Sequence, residues 1–438
     1  MLDHASVTLP RESWPKSVTI TPLTSPPDVT LNPPGSKSIT NRALLCAALA
    51  QGSSTVSGVL LADDTEAMLH SVQGLGAGLD LDRDRCRAVV QGRDPRTDHS
   101  AVTLQARSSG TTSRFVLPVA AVRAGRTTVD GTEQLRARPF GPLLDALRGL
   151  GGRLEGSGPA ADRLPVQAAG GAVGGEVCVP GHLSSQFLSG LLMAAPLMEK
   201  GLHLTLSSPL VSVPYVTMTM AVMEAFGVQA TREDDGSFRV SPQAYQAANF
   251  TIEPDASAAS YLFGAAAISG GRVTVEGLGT GALQGDLEFV RVLEQMGATV
   301  TMTATSTTVQ GPSVLRGVDI DMRDISDTAQ TLAAVAVFAD RPTRVRGIGF
   351  IRAKETDRIG AVVTELRRAG IDAVEHDDGF TVNPGRPVPT AFETYDDHRM
   401  AMSLALLGLK VPGVVVLDPQ CVSKTYPNFF DDLARVGK

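Results

Sequence analysis

A single tryptophan, Trp14, and an aromatic content of 5% leave little bulky material for a core, so the interior must be assembled largely from Ala, Val and Leu. Four cysteines (Cys46, Cys86, Cys178, Cys421) lie far apart and form no CxxC pair, and seven histidines include no HExxH, so a zinc site finds no support. Such a thiol set fits a reduced, cytoplasmic protein. Positive charge is also short: 39 Lys and Arg against 46 Asp and Glu give −7, which argues against a general nucleic-acid-binding surface. The longest apolar stretch, around Leu188–Met198, is interrupted by Gly190 and Pro196 and is too short to span a bilayer. The N-terminal stretch with Asp3, Pro10, Arg11 and Glu12 has neither an apolar signal core nor a basic transit character. These absences predict a soluble, cytoplasmic chain with no membrane and no nucleic-acid partner.

What the chain does have is glycine, 44 residues in 438. Six segments read as an amphipathic helix closed by Gly: Glu66–Gly76, Phe140–Gly151, Tyr215–Gly227, Leu287–Gly297, Thr356–Gly370 and Phe429–Gly437. Their closing glycines are 67 to 76 residues apart, close to one sixth of the chain. Six further segments, rich in Ala, Leu and Val, alternate with them: Ser38–Ala50, Gly110–Ala124, Ser185–Lys200, Ala256–Ser269, Thr328–Ala339 and His398–Leu409. A helix apolar on nearly all sides is a buried helix. Short β-branched stretches such as Val102–Leu104, Thr127–Val129, Val273–Val275 and Val414–Leu417 lie between. The pattern predicts six copies of one α/β (α+β) unit.

The buried helices open differently in the two halves. The first three begin with Ser36-Lys37-Ser38, Ser109-Gly110-Thr111 and Ser184-Ser185-Gln186, and the last three near Asp255, Asp327 and Asp397. The split predicts two domains of three units, with a boundary near Glu253-Pro254-Asp255. The sixth unit runs out of chain after Gly437, so the stretch Val18–Leu23 is expected to complete it. That gives residues 1–34 and 255–438 as one domain and 35–254 as the other, with crossings near 34 and 254.

Helix N-termini present unpaired N–H groups and bind anions. The run from Pro33 to Arg42 adds to such a terminus the hydroxyls of Ser36 and Ser38, the charge of Lys37, and Arg42 one turn on from Ser38. Arg107–Arg114 repeats the design, Ser184-Ser185-Gln186 repeats it without a cation, and Arg136 and Arg138 precede the next helix. Three such starts in one domain suit a polyanionic small molecule; a cap with a solvated cation is the plainer reading of each alone. In the second half, Lys354 and Arg358 are placed one helical turn apart, with Glu355 between them. Asp397, His398 and Arg399 run straight into the apolar Met400–Leu407, and a charge cluster entering a buried helix needs partners. Gly74–Gly78 and Gly277–Gly281 fall short of a dinucleotide fingerprint.

These residues resemble one family, the 5-enolpyruvylshikimate-3-phosphate synthases. The shared runs are PPGSKSITNRALL, SGTTSRF, RARPFGPLLDALR, SSQFLSGLLMAAP, EPDASAASY, AKETDRI, DDHRMAM and CVSKTYPNFF, in one order from Pro33 to Phe430. The resemblance implies a two-domain inside-out α/β barrel of six βαβαββ units, three per domain. It implies transfer of the enolpyruvyl group of phosphoenolpyruvate to the 5-hydroxyl of shikimate 3-phosphate, without metal or organic cofactor. Its expected partners are those two substrates alone, acting on a monomer. By resemblance, Lys37, Ser38, Arg42, Ser184, Ser185, Gln186, Ser212, Asp327 and Lys354 hold shikimate 3-phosphate. Lys37, Gly110, Arg138, Gln186, Arg358, Arg399 and Lys424 surround phosphoenolpyruvate. Asp327, Glu355 and Lys37 are the expected catalytic residues, Asp327 as base and Glu355 as proton carrier at the methylene carbon.

Four positions depart from the family pattern: Ser108-Ser109 for Asn-Ala, Ser326 for Pro, and Phe350 for a polar Asn. Gly110 is kept, a feature that goes with glyphosate sensitivity in the family. The sister transferase acting on UDP-N-acetylglucosamine shares the fold but typically carries a Lys-Asn pair and a reactive loop Cys; here the pair is Lys37-Ser38. An inert anion-binding scaffold would lack Asp327, Glu355 or Arg399, and all three are present.

Overall fold

Strands of the described residues, 14–437 in this computed structural model, form six sheets. Asp3, Pro10, Arg11 and Glu12, on which the expectation of no targeting segment rests, lie outside the described residues. Five sheets have four strands and one has three. Each is built on one parallel pair with antiparallel strands added at one side. A representative unit runs from strand Val102–Gln105 through helix Gly110–Val122 to the parallel strand Thr127–Asp130. Helix Gly141–Gly149 and the hairpin of Leu154–Ser157 with Arg163–Ala168 complete it. Parallel neighbours cannot be joined by a tight turn, so the buried helix is the crossover that makes the pair possible.

Contacts divide the chain into two units. Gly35–Ile252 form the central unit, and the residues up to Pro34 with those from Glu253 onward form the terminal unit. Each unit recruits a strand from the far end of its own chain. In the central unit, Asn249–Thr251 pairs parallel with Ser53–Ser57. In the terminal unit, Asp28–Leu31 pairs parallel with Arg272–Glu276, and Ser17–Thr19 pairs antiparallel with Val415–Leu417. The strand that the sixth unit lacks therefore comes from the N-terminal stretch, one residue ahead of the Val18 start expected for it.

The six buried helices are Lys37–Leu49, Gly110–Val122, Ser185–Ala194, Ala256–Ser269, Ala329–Ala336 and His398–Gly408. The third stops six residues before the expected Lys200, because Pro196 cannot continue the ladder and Ala195–Leu197 tightens into a 3-10 turn. The fifth starts later than expected, behind a 3-10 turn at Ser326–Thr328. Small residues bring these helices close. A Cβ on Gly190 would strike the Arg114 carbonyl oxygen, and one on Gly264 would press on Leu406, Thr331 and Val335 at 3.1–3.3 Å. That is how a chain poor in aromatics fills two cores: thin helices pack at short distance. No helix of the described residues is long and apolar enough to cross a membrane.

Candidate active site

In the central unit, serine hydroxyls open the three buried helices. Ser36 accepts from Ile39 N, Ser109 from Thr112 N at 3.1 Å, and Ser184 from Gln186 N at 3.3 Å. Around these starts the side chains are cross-connected. Lys37 Nζ stands 3.3 Å from the buried carboxylate of Asp64, and the Asp64 carbonyl accepts from Thr112 Oγ1 at 3.1 Å. Arg114 donates to Gln186 Oε1 at 2.6 Å, and Gln186 Nε2 donates to Thr111 Oγ1 at 3.1 Å. Arg114 also lies over the rings of Phe140 and Phe187, 5.4 and 5.2 Å from their centroids. Gly110 sits against two guanidinium groups: a Cβ there would stand 2.9 Å from Arg138 Nη1 and 3.4 Å from Arg114 Nη1. Glycine at 110 is thus what lets Arg138, itself buried, reach the helix start. Ser185 is buried beside Ser184, and Ser212 is a buried left-handed residue (φ 54°) ahead of helix Val213–Ala225. A non-glycine residue held in that conformation is strained, and such strain concentrates at functional sites.

Arg42 is placed differently from a surface ligand-binding cation. It is 1% exposed and donates to Thr219 Oγ1 (2.7 Å), the Ser38 carbonyl (2.8 Å), the Tyr215 carbonyl (3.2 Å) and Ser189 Oγ (3.3 Å). Four of its five N–H groups are therefore matched to protein acceptors. Burial draws the guanidinium down to about 10, against the opposing pull of Tyr215 and Cys46. Its visible work is to brace the first turn of the Lys37–Leu49 helix through the Ser38 carbonyl. Arg136, by contrast, is a surface residue paired with Asp130 at 2.6 Å.

In the terminal unit, three carboxylates and three cations interlock. Arg358 Nε and Nη2 grip Asp397 at 2.8 and 3.2 Å, Nη2 also meets Glu355 at 2.8 Å, and Nη1 meets Asp327 at 3.2 Å. Arg399 Nη2 donates to the other oxygen of Asp327 at 2.7 Å, and Lys424 Nζ lies 3.0 Å from the other oxygen of Glu355. Burial disfavours the charge on Arg358, but Asp397, Glu355 and Asp327 together outweigh it and hold the guanidinium above its usual range. Asp397 is fully buried and also caps helix His398–Gly408 by accepting from Arg399 N at 2.9 Å. Tyr395 and Asp396, just before it, are both left-handed (φ 57° and 52°), so a strained turn delivers this cap.

Two expectations change here. Lys354 and Arg358 do not share a helix face. Asp357 accepts from Ile359 N and Gly360 N, which starts the helix at Arg358 and leaves Lys354 in the preceding turn. The cations that flank Glu355 are consequently Arg358 and Lys424. Phe350 packs half-buried against the apolar core of the terminal unit.

Several residues of both clusters escaped sequence reasoning. Asp64 was signalled only by the acidic run Asp63–Glu66 at a helix start. Thr219 and Ser189, the props of Arg42, read as ordinary helix residues. Tyr261 and Gln330 read as core; both are fully buried, and neither the Tyr261 hydroxyl nor the Gln330 amide meets a hydrogen-bond partner among the described residues.

The sequence model of the family described as EPSP synthase (3-phosphoshikimate 1-carboxyvinyltransferase) matches residues 24–433. A 3-phosphoshikimate 1-carboxyvinyltransferase of Nostoc punctiforme is 43% identical over 94% of this chain and 97% of its own. The chloroplastic enzyme 1 of that name from Nicotiana tabacum is 41% identical over 93% of this chain and 83% of its own. Among solved structures, the EPSP synthase of Acinetobacter baumannii superposes with a TM-score of 0.79 at 24% identity, covering 95% of this chain and 97% of that one. The enolpyruvyl transferase NikO of Streptomyces tendae gives 0.75 at 18% identity over 96% and 97%. At such identities the superpositions speak for the fold.

Proposed function

Because the chain belongs to the EPSP synthase family and so transfers the enolpyruvyl group of phosphoenolpyruvate to the 5-hydroxyl of shikimate 3-phosphate, releasing phosphate in the shikimate pathway, we propose that its two clusters divide that reaction between them. The central unit supplies the anion cradle. Lys37, Ser38, Ser184, Ser185, Gln186 and Ser212 take shikimate 3-phosphate, with Arg42 bracing Ser38 and offering its remaining N–H. Gly110, Arg138, Lys37 and Gln186 take part of phosphoenolpyruvate. The terminal unit supplies Arg358, Arg399 and Lys424 for phosphoenolpyruvate, Lys354 and Asp327 for shikimate 3-phosphate, and the proton-transfer groups Asp327 and Glu355.

The observation that carries this reading is the sharing of cations in the terminal cluster. Asp327 bridges Arg358 and Arg399, and Glu355 bridges Arg358 and Lys424. An incoming carboxylate or phosphate competes for those same N–H groups, which loosens the two protein carboxylates from their cations. A carboxylate less tied to cations is more basic. Asp327 then accepts the proton of the attacking hydroxyl as its oxygen bonds to C2 of phosphoenolpyruvate. Glu355, in its protonated form, delivers a proton to C3 and, in the elimination that breaks the C2–O bond to phosphate, takes one back from C3, while the proton held by Asp327 leaves with the phosphate. Lys37 stabilises the charge that develops on the departing group.

The same reading takes residues 1–34 with 255–438 as one domain and 35–254 as the other, hinged where the chain crosses near 34 and 254. The division of contacts at Pro34/Gly35 and Ile252/Glu253 supports it. It also takes the enzyme as a cytoplasmic monomer that binds no nucleic acid or membrane, in keeping with its −7 charge, and gel filtration near 45.8 kDa checks the monomer. The decisive assay is phosphate release from phosphoenolpyruvate with shikimate 3-phosphate, run beside UDP-N-acetylglucosamine as acceptor. Release with the first alone is expected; release with the sugar nucleotide alone overturns the substrate assignment.

A further inference from the structure

Helix Arg358–Arg368 meets the chain just ahead of the sixth buried helix at two points. At its first residue, Arg358 grips Asp397 through Nε and Nη2 at 2.8 and 3.2 Å. Two turns on, along the same face, comes the fully buried carboxylate of Glu365. One of its oxygens accepts from the Tyr395 hydroxyl at 2.8 Å, and the other from Glu393 N at 3.0 Å. Between the two points the chain makes a tight turn, closed by Asp397 N donating to the Thr394 carbonyl at 2.9 Å. Both central residues of that turn, Tyr395 and Asp396, are left-handed (φ 57° and 52°). Gly, Asn and Asp ordinarily fill such turns, and a tyrosine there is strained. A strained conformation persists only where its surroundings over-determine it. Tyr395 is 40% exposed, so packing alone is a weak hold, and the bond from its hydroxyl to Glu365 is the directional one. Glu365 does not need that bond to balance its own charge, because Arg368 Nη1 donates to both its oxygens at 3.0 and 2.7 Å. The hydrogen bond therefore serves the turn rather than the carboxylate.

We propose that Glu365 and Tyr395 are positioning residues for Arg358: they latch the strained turn 394–397 to helix Arg358–Arg368, so that Asp397 holds the Arg358 guanidinium where it receives phosphoenolpyruvate. The inference rests on the role given above to Arg358. Asp397 takes two of the guanidinium nitrogens and so fixes the plane of the fork. That plane decides where Nη1 and Nη2 point, and these are the atoms that meet Asp327 and Glu355 at 3.2 and 2.8 Å. The carboxylate of Asp397 is itself aimed by the turn that precedes it. Without the latch, Tyr395 can leave the left-handed region and carry Asp397 with it. The fork then tilts away from the position at which an incoming carboxylate or phosphate competes for its N–H groups. Because Arg358 and Glu365 belong to one helix, the latch and the guanidinium keep a fixed spacing, about 10 Å along the axis.

The test compares Tyr395→Phe, Tyr395→Asn, Glu365→Gln and Arg358→Lys, measuring initial rates against each substrate together with the thermal midpoint. Tyr395→Phe removes only the hydroxyl and should raise the KM for phosphoenolpyruvate about three- to tenfold. The KM for shikimate 3-phosphate should stay within about twofold and the midpoint should move little. Tyr395→Asn also lacks the phenol, but Asn enters the left-handed region readily and needs no latch. Its phosphoenolpyruvate KM should therefore lie within about twofold of the parent enzyme, which a packing role for the ring does not allow. Glu365→Gln leaves one acceptor for two donors of the loop and should raise the same KM at least as far as Tyr395→Phe. An unchanged phosphoenolpyruvate KM in Tyr395→Phe or in Glu365→Gln overturns the inference, as does damage in Tyr395→Asn equal to that in Tyr395→Phe. Both KM values rising together with a lowered midpoint mark a structural role and overturn it too. These outcomes leave the role of Arg358 intact. If Arg358→Lys itself leaves the phosphoenolpyruvate KM unmoved, the reading of Arg358 fails and this inference goes with it.

Discussion

The two units repeat the same βαβαββ plan but start their buried helices with opposite chemistry. In the central unit the caps are serines, Ser36, Ser109 and Ser184. In the terminal unit Asp255 and Asp397 cap the fourth and sixth helices. A serine cap satisfies an N–H without adding charge, so the positive end of the helix stays available to an outside anion. An aspartate cap satisfies the same N–H and neutralises that end. The fifth helix is the informative exception. Asp327 does not cap; it lies in a 3-10 turn and spends its carboxylate on Arg358 and Arg399. The difference teaches how one repeat becomes two functions. Neutral caps leave helix ends open to the phosphate proposed to bind there, and charged residues at the same place make a network in which acids and cations are matched beforehand.

The largest effect should come from breaking the matched network at its proposed proton carrier. Glu355→Gln keeps the shape beside Arg358 and Lys424 but carries no exchangeable proton of the right kind. We expect kcat to fall about 10²- to 10⁴-fold, with binding of both substrates retained, as read by single-turnover rates and titration. Full activity in that variant removes Glu355 from the chemistry. A smaller effect should follow from exchanging the caps. Ser184→Asp preserves the cap at Gln186 N yet sets a negative charge where the shikimate phosphate is proposed to lie. Its KM for shikimate 3-phosphate should rise about 10- to 100-fold with little change in thermal midpoint. The reverse exchange, Asp255→Ser, replaces one good cap by another and should cost at most about 1 kcal/mol, leaving both KM values unmoved. Equal kinetic damage from the two exchanges would erase the distinction between the units.

Much of this was legible in sequence because the repeat is written in periodicity and glycine. Ala-rich runs free of charge can only be buried helices, and the start of Ala256–Ser269 or His398–Gly408 follows from its Asp cap. Element ends were less legible where local geometry competes, as with Pro196 cutting the third helix short or Asp357 delaying the helix at Arg358. The clusters were half legible. Charged residues such as Arg358 and Arg399 stand out where they enter apolar helices, whereas Asp64 and Thr219 act through long-range contacts that no spacing encodes. Arg42 shows the limit best. Its position on the helix was readable, but its burial beneath Thr219 and Ser189 depends on helices 147 and 177 residues away.

The smallest effect concerns a property in which the two units should not differ. Cys46 in the central unit and Cys421 in the terminal unit are both buried, and burial pushes each thiol up to about 12 from an ordinary value of 9.0. The unfolded chain loses these protons near pH 9 while the folded protein keeps them. The stability tied to each thiol is therefore whole below pH 9 and declines as the pH rises toward 12. At pH 9.5 the loss is on the order of 1 kcal/mol per thiol, and staying below pH 10 limits the parallel contribution of the buried phenols Tyr245 and Tyr426. Urea midpoints at pH 8.0 and 9.5 should show that Cys46→Ala and Cys421→Ala each reduce the alkaline drop by a similar amount. The comparison must be of drops, because removing a buried sulfur also lowers stability at both pH values through lost packing. A drop that survives undiminished in Cys421→Ala but not in Cys46→Ala would mean that the terminal unit admits water to its core. Its matched charges would then be screened by solvent as well as by one another.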